Sequence, residues 1–117
     1  IDENELENRS KKINKLKDIC ATIIEKVTSR LEQKNKKERK IKNELLKLLS
    51  VLSQIEDLKT KAVKDPIKYQ ADIMRLDELY QQTKDTIHDA NIELLKVRDS
   101  IHELLNNYYI VLQNSLK

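Results

Sequence analysis

The sequence has no glycine, and its single proline is Pro66. Glycine and proline supply most tight turns, so folds built from many short elements normally need several of each. A chain of 117 residues with no glycine and one proline is poorly suited to an α/β or all-β architecture. The absence favours an all-α fold, and the length favours one domain over residues 1–117.

Cysteine and long hydrophobic runs are also scarce. Cys20 is the only cysteine, which excludes an internal disulfide and a metal site built from several thiolates. No apolar run reaches the length of about 20 residues that spans a bilayer, so we predict no transmembrane segment. We expect a cytoplasmic protein, or a secreted one if a leader preceded Ile1.

Residue patterns that carry catalysis or cofactor binding are missing as well. A phosphate-cradling loop needs glycine. Adjacent acids such as Glu56 and Asp57 diverge on a helix, so they do not flank a substrate as paired catalytic carboxylates do. His88 and His102 lie four helical turns apart, about 20 Å, which is too far to share a metal. We therefore predict no enzymatic activity, no catalytic residue, no metal site and no cofactor.

What the sequence does contain is heptad spacing of apolar residues in two long stretches. In the second stretch, apolar residues recur every three or four positions from Ile73 to Val111, which predicts nearly six heptads of helix. The first stretch follows one heptad frame as well. Its members are Ile13, Leu16, Cys20, Ile23, Val27, Ile41, Leu48, Val51, Ile55, Leu58 and Ala62.

Asp65 and Pro66 interrupt this pattern and predict a turn. The lysine-rich residues 59–64 complement the dipole at the end of a helix. Asp65 is a suitable N-cap, and Pro66 suits the first position of the next helix because its missing N–H has no intrahelical partner there. The predicted elements are a helix over about 3–64, a turn over about 64–67 and a helix over about 67–116.

The basic residues 32–40 leave two architectures open. If the first helix continues through them, two helices form a long antiparallel hairpin, similar to a coiled coil, in a register that places Leu58 opposite Ile73. If the helix breaks near Asn35, which with Glu38 resembles a capping box, three helices form a bundle. The unbroken heptad frame and the lack of glycine and proline favour the hairpin.

Charge divides unevenly between the two halves. Residues 1–64 carry 17 basic and 11 acidic side chains, a net charge of +6, whereas residues 65–117 carry 6 and 9, a net charge of −3. Opposite charges on two helices of one chain favour their packing side by side.

Apolar residues beside the heptad frame make the stripe wider than a two-stranded seam requires. The pattern therefore predicts a protein–protein interaction module, a helical rod or scaffold that binds helical partners or forms a homo-oligomer. The predicted partner-binding residues are Leu45, Leu52, Leu105, Leu112, Tyr109 and Ile110.

A basic cluster offers an alternative function. Its members are Lys34, Lys36, Lys37, Arg39, Lys40 and Lys42. Such a cluster would bind phosphates of nucleic acid or of an anionic membrane in a salt-dependent way. No aromatic residue is interleaved for base stacking, which disfavours nucleic acid as the partner.

A further alternative concerns location. Lysine, isoleucine and asparagine recur throughout, a bias typical of AT-rich coding sequence, and the chain starts at Ile1. This combination suggests a secreted effector or surface protein of a microbe that engages a host protein.

Overall fold

The computed structural model describes residues 2–116. Two helices, α1 (Glu3–Ala62) and α2 (Gln70–Leu116), are joined by a turn over residues 63–69. Within residues 2–116 there is no strand. The prediction of an all-α antiparallel hairpin turned at Asp65 and Pro66 is confirmed.

α1 continues without interruption through residues 32–40. The side chains of Glu38 and Lys42, one helical turn apart, form an ion pair at 2.7 Å in this region. Pairs of this orientation stabilise a helix by about 0.2–0.5 kcal/mol. The alternative three-helix bundle with a break near Asn35 is therefore wrong.

Aspartate side chains accept backbone hydrogen bonds at the start of α1 and in the turn that precedes α2. The N–H of Asn4 donates to Oδ1 of Asp2 at 3.1 Å, which caps α1. At the turn, Oδ1 of Asp65 accepts from the N–H of Lys68 at 3.3 Å, and the carbonyl of Asp65 accepts from the N–H of Tyr69 at 3.1 Å. Helical hydrogen bonding thus begins directly after Pro66, although regular α2 begins only at Gln70 and α1 already ends at Ala62.

The chain forms two compact units. The turn unit comprises Lys37–Val97, and the terminal unit comprises the residues up to Lys36 together with those from Arg98 onward. Each unit contains a segment of α1 paired with an antiparallel segment of α2. The assignment of residues 1–117 to a single domain stays a prediction.

The turn unit contains the buried apolar side chains. Ile55, Ala62, Leu94 and Val97 are 5–8% exposed. Burial of a large aliphatic side chain is worth about 1.5–3 kcal/mol. We call the line of side chains that pack between the two helices the seam. Half-buried residues at heptad spacing extend it. They are Glu38, Ile41, Leu45, Leu48, Leu52 and Lys59 in α1, and Ile73, Leu76, Tyr80, Thr83, Ile87 and Ala90 in α2.

The terminal unit has a thinner seam. No side chain in residues 2–36 or 98–115 is buried, and residues 2–15 are all exposed. The half-buried residues are Leu16, Cys20, Ile23, Val27, Leu31 and Lys34 in α1, and Ser100, Ile101, Leu104, Tyr108, Leu112 and Ser115 in α2.

The heptad frame predicted for α2 is confirmed from Ile73 to Tyr108, after which Leu112 rather than Val111 faces the seam. In the frame predicted for α1, Ile13 is wrong because it is 64% exposed, and after Val27 two of the six predicted members, Val51 and Leu58, are wrong. Leu31 follows Val27 in the seam after four residues, as Val27 follows Ile23, and two successive spacings of four constitute a stutter.

The stutter explains which side chains of α1 turn inward. The unshifted frame would place Arg30, Lys37 and Glu44 in the seam. The shift replaces them with Leu31, Glu38 and Leu45, so two cations are exchanged for two leucines and the number of carboxylates stays at one. In return, Val51 and Leu58 turn outward and are 42% and 53% exposed.

The register between the helices also differs from the prediction. Tyr80 donates to Glu56, and Lys59 pairs with Asp77. These contacts shift α2 along α1 by about one helical turn relative to the predicted pairing of Leu58 with Ile73.

Candidate interaction surface

One side of the terminal unit is polar. Lys34 donates to the hydroxyl of Ser100 across the seam. Beside this hydrogen bond lies an open cleft of about 380 Å³. It is lined by Arg30, Gln33, Lys34, Ser100, Glu103, Leu104 and Asn107.

The opposite side of the terminal unit is apolar. Each residue of a helix turns the side chain by about 100°, so Leu31 lies on the other flank of the seam from Arg30, and Leu105 lies on the other flank from Glu103. Because the two helix segments are antiparallel, these two flanks belong to the same side of the unit. Residues three or four positions away from Leu31 and Leu105 lie on the same side of the unit. We call this surface the apolar face, and it comprises Ile24, Thr28, Leu31, Leu105, Tyr109 and Leu112.

The apolar face is accessible to a partner. Ile24, Leu105 and Tyr109 are 50%, 41% and 59% exposed, and Leu31 and Leu112 are half-buried. The hydroxyl of Tyr109 accepts a hydrogen bond from Nε2 of Gln113 at 2.9 Å. Gln113 follows one helical turn later, so this contact holds the tyrosine ring in one orientation. None of its six residues carries a formal charge.

In the turn unit, the end next to the turn has one polar side. Tyr80 donates to Oε1 of Glu56 at 3.2 Å, Lys59 pairs with Asp77, and the ammonium of Lys84 lies 5.5 Å from the centre of the Tyr80 ring. The hydrogen bond to Glu56, together with partial desolvation, raises the pKa of the Tyr80 phenol above 10.0. Beside these contacts lies an open cleft of about 500 Å³, lined by Glu56, Lys59, Thr60, Val63 and Tyr80.

The other side of the same end carries an apolar groove of about 420 Å³. Its lining residues are Leu58, Lys61, Ala62, Tyr69, Asp72, Arg75, Leu76 and Leu79. The groove lining therefore combines apolar walls with charges of both signs. Outside this lining, within the turn itself, Ile67 is 91% exposed.

The predicted partner-binding residues fall into three groups. Leu105, Tyr109 and Leu112 lie together on the apolar face. Ile110 is 46% exposed but points away from that face, because it follows Tyr109 by one residue. Leu45 and Leu52 do not lie on a flank as expected, since the stutter places them half-buried in the seam of the turn unit. Partner binding by these six residues stays a prediction.

The predicted basic cluster is partly engaged within the chain. In the terminal unit, Lys34 is half-buried and donates to Ser100, while Lys36 is exposed. In the turn unit, Lys42 pairs with Glu38. The remaining members, Lys37, Arg39 and Lys40, are exposed.

The described residues offer neither a metal-binding cluster nor a helix that could cross a membrane. Among the residues that the structure describes, no three His, Cys, Asp or Glu side chains are grouped so as to hold a metal ion. Over the same part of the chain, no helix is both long and apolar enough to cross a membrane.

The sequence-based prediction missed part of the apolar face. Ile24 and Leu31 widen the apolar stripe of α1 in the sequence, but they can be joined with Leu105 and Tyr109 only when the register between the helices is known. The groove near the turn was missed because Leu58 was assigned to the seam. The sequence feature that could have indicated the groove is Leu79, an apolar residue that lies outside the heptad to which Leu76 belongs.

Comparisons with protein families, curated proteins and solved structures found no match for this chain.

Proposed function

We propose that this protein is a non-enzymatic protein–protein interaction module, which binds helical partners or self-associates through apolar surface that its two helices leave uncovered. The apolar face of the terminal unit is the observation that carries this proposal. Leu105, Tyr109 and Ile24 expose 41–59% of their surface on one side of two paired helices. Such a surface suits helix-in-groove or coiled-coil recognition.

The composition of the face supports a protein partner. Tyrosine is enriched at the centres of interfaces, where charged residues are depleted. Tyr109 lies among leucines and isoleucine, with charged groups on the opposite side at Arg30 and Glu103. A third or fourth helix packed on this side would cover six residues that carry no formal charge, with Glu32 and Arg98 at its edges.

The basic cluster is a weaker basis for function. Lys34 is held by Ser100 and Lys42 by Glu38, so binding phosphate through either lysine would first disrupt an existing contact. Ile24, Leu105 and Tyr109 of the apolar face require no such rearrangement, because they are already exposed.

The proposal is tested with two charge-matched double variants. Leu105→Lys with Tyr109→Lys adds two lysines to the apolar face, whereas Gln33→Lys with Asn107→Lys adds two lysines to the polar cleft. Light scattering over a range of concentrations measures self-association, and affinity capture from the native source followed by mass spectrometry identifies other proteins.

We expect wild type and the polar-cleft variant to form the same complexes, and the apolar-face variant to lose them. Circular dichroism before each measurement ensures that all three proteins are helical. A wild-type chain that is monomeric throughout and captures no protein sensitive to the face substitutions would overturn the proposal.

A further inference from the structure

We propose that the apolar face is a self-association site, on which a second copy of this chain packs about a two-fold axis at the level of Thr28. In this arrangement α1 lies antiparallel to α1 of the second copy, and α2 lies antiparallel to the second α2. The inference rests on the proposed function and names its partner.

The spacing of the apolar residues supports this axis. Lys34 and Ser100 lie at the same level, because they are hydrogen-bonded across the seam. The midpoint of Ile24 and Leu31 lies about 10 Å from Lys34 along α1, at 1.5 Å per residue. The midpoint of Leu105 and Tyr109 lies about 10 Å from Ser100 along α2, at the same rise. Because the helices are antiparallel, both displacements run in the same direction.

The two midpoints therefore lie within about one helical turn of the same level, next to Thr28. A two-fold axis here places Ile24 of one copy opposite Leu31 of the other, and Leu105 of one copy opposite Tyr109 of the other. Four of the five large apolar side chains of the face then meet another apolar side chain, and Leu112 lies outside these pairs. Self-complementarity of this kind is what an isologous two-fold interface requires.

Charge also favours a second copy at this face rather than at the groove near the turn. The apolar face is formally uncharged, so two copies meet without placing like charges together. The groove has Lys61 and Arg75 on its lining, against a single acid, Asp72. Cations at an interface between copies oppose association unless each finds an acid.

The accessible surface of the chain leaves ample area for such an interface. The chain exposes 9646 Å². A folded monomer of 13.8 kDa is expected to expose about 6,600 Å², so this chain has roughly 3,000 Å² in excess. An obligate homodimer removes about 1,000–2,500 Å² from each partner. This excess belongs to the chain as a whole, and it is large enough to supply a homodimer interface.

The axis is tested by cross-linking in full-length protein. In a Cys20→Ser background, Thr28→Cys places one thiol at the proposed axis, and Gln33→Cys places one thiol on the polar side. Both native side chains are exposed. A short bismaleimide should convert Thr28→Cys into a covalent dimer and leave Gln33→Cys monomeric.

The strength of association is tested by sedimentation equilibrium. Tyr109→Lys should raise the dimer dissociation constant at least about a hundredfold, because tyrosine is a frequent hot spot at interfaces. In a two-fold dimer both copies carry the substitution, so its effect occurs at two places in the interface. Ile110→Lys, an identical change of charge at the adjacent residue, should leave the constant within about threefold.

Three outcomes would overturn the inference. One is a wild-type chain that stays monomeric at the highest concentration, and another is equal sensitivity to Tyr109→Lys and Ile110→Lys. The third is association that persists while Thr28→Cys fails to cross-link. A monomeric chain that binds a different protein through Leu105 and Tyr109 would overturn this inference alone and leave the proposed function standing.

Discussion

The turn unit and the terminal unit both consist of two antiparallel helix segments, but they differ in how well the seam is covered. Ile55, Ala62, Leu94 and Val97, which are all buried, belong to the turn unit. In the described part of the terminal unit no side chain is buried, and Tyr108 and Leu104 are only half-buried. Heptad spacing alone therefore does not determine how much apolar surface is removed from water.

The polar contacts across the seam differ in the same way. The turn unit has a hydrogen bond between Tyr80 and Glu56 and an ion pair between Lys59 and Asp77, close to a capped turn. In the terminal unit, Lys34 and Ser100 form the cross-helix hydrogen bond. We infer that the turn unit supplies most of the folding free energy and that the terminal unit supplies the surface for partners.

Hydrogen exchange should show the largest difference between the units. Amides near Leu94 and Val97 should exchange on the order of a thousandfold more slowly than amides in residues 4–15. The first group can exchange only when the two helices of the turn unit separate. Residues 2–15 are all exposed, and an uncovered helix of that length is marginal in water. Mass spectrometry of peptic fragments measures both groups in one sample. Equal protection would contradict the contrast.

Truncation of one leucine in each unit should give an intermediate effect. Leu94→Ala should lower the free energy of unfolding by about 2–4 kcal/mol, since it removes a buried side chain and leaves a cavity. Leu104→Ala should cost about half as much, because the native side chain is only partly removed from water. Urea unfolding followed by circular dichroism measures both variants. A larger loss for Leu104→Ala would reverse the assignment of the stable unit.

The smallest predicted effect is a pH dependence confined to the turn unit. The hydrogen bond to Glu56 raises the pKa of the Tyr80 phenol above 10.0. Its stabilisation is therefore fully present below pH 10.0 and is lost as the pH rises through the folded-state pKa. Glu56→Gln should lower the pKa of Tyr80 towards its ordinary value, as followed by tyrosinate absorbance.

Glu93→Gln is the control for this titration, because it removes a carboxylate that pairs with Lys96 and does not contact Tyr80. A titration curve that shifts equally in both variants would exclude the hydrogen bond as the cause.

Much of the fold was predictable because local signals agreed. Asp65 and Pro66 combine a cap, a restricted φ and a missing donor, and the chain turns there as predicted, although regular α2 begins at Gln70 rather than at Pro66. In α2, Ile73, Leu94 and Val97 follow an uninterrupted heptad that admits no other frame.

The frame of α1 was harder to predict because two frames share residues. Ile41, Leu48 and Ile55 belong to both the predicted and the observed frame, so their spacing does not distinguish between them. The choice depends on the cost of placing Arg30 and Lys37 against α2, which is known only when the two helices are paired. The apolar face depended on the same information, since its residues come from both helices.

The exposure of Ile67 has a consequence for how this sequence can be altered. At 91% exposed, Ile67 contributes almost no buried area, and the cap next to it is made by Asp65 through the backbone of Lys68. Exposed turns of this kind are preferred sites for insertion. A short epitope or a fluorophore attached at this position would report on the protein without altering either helix.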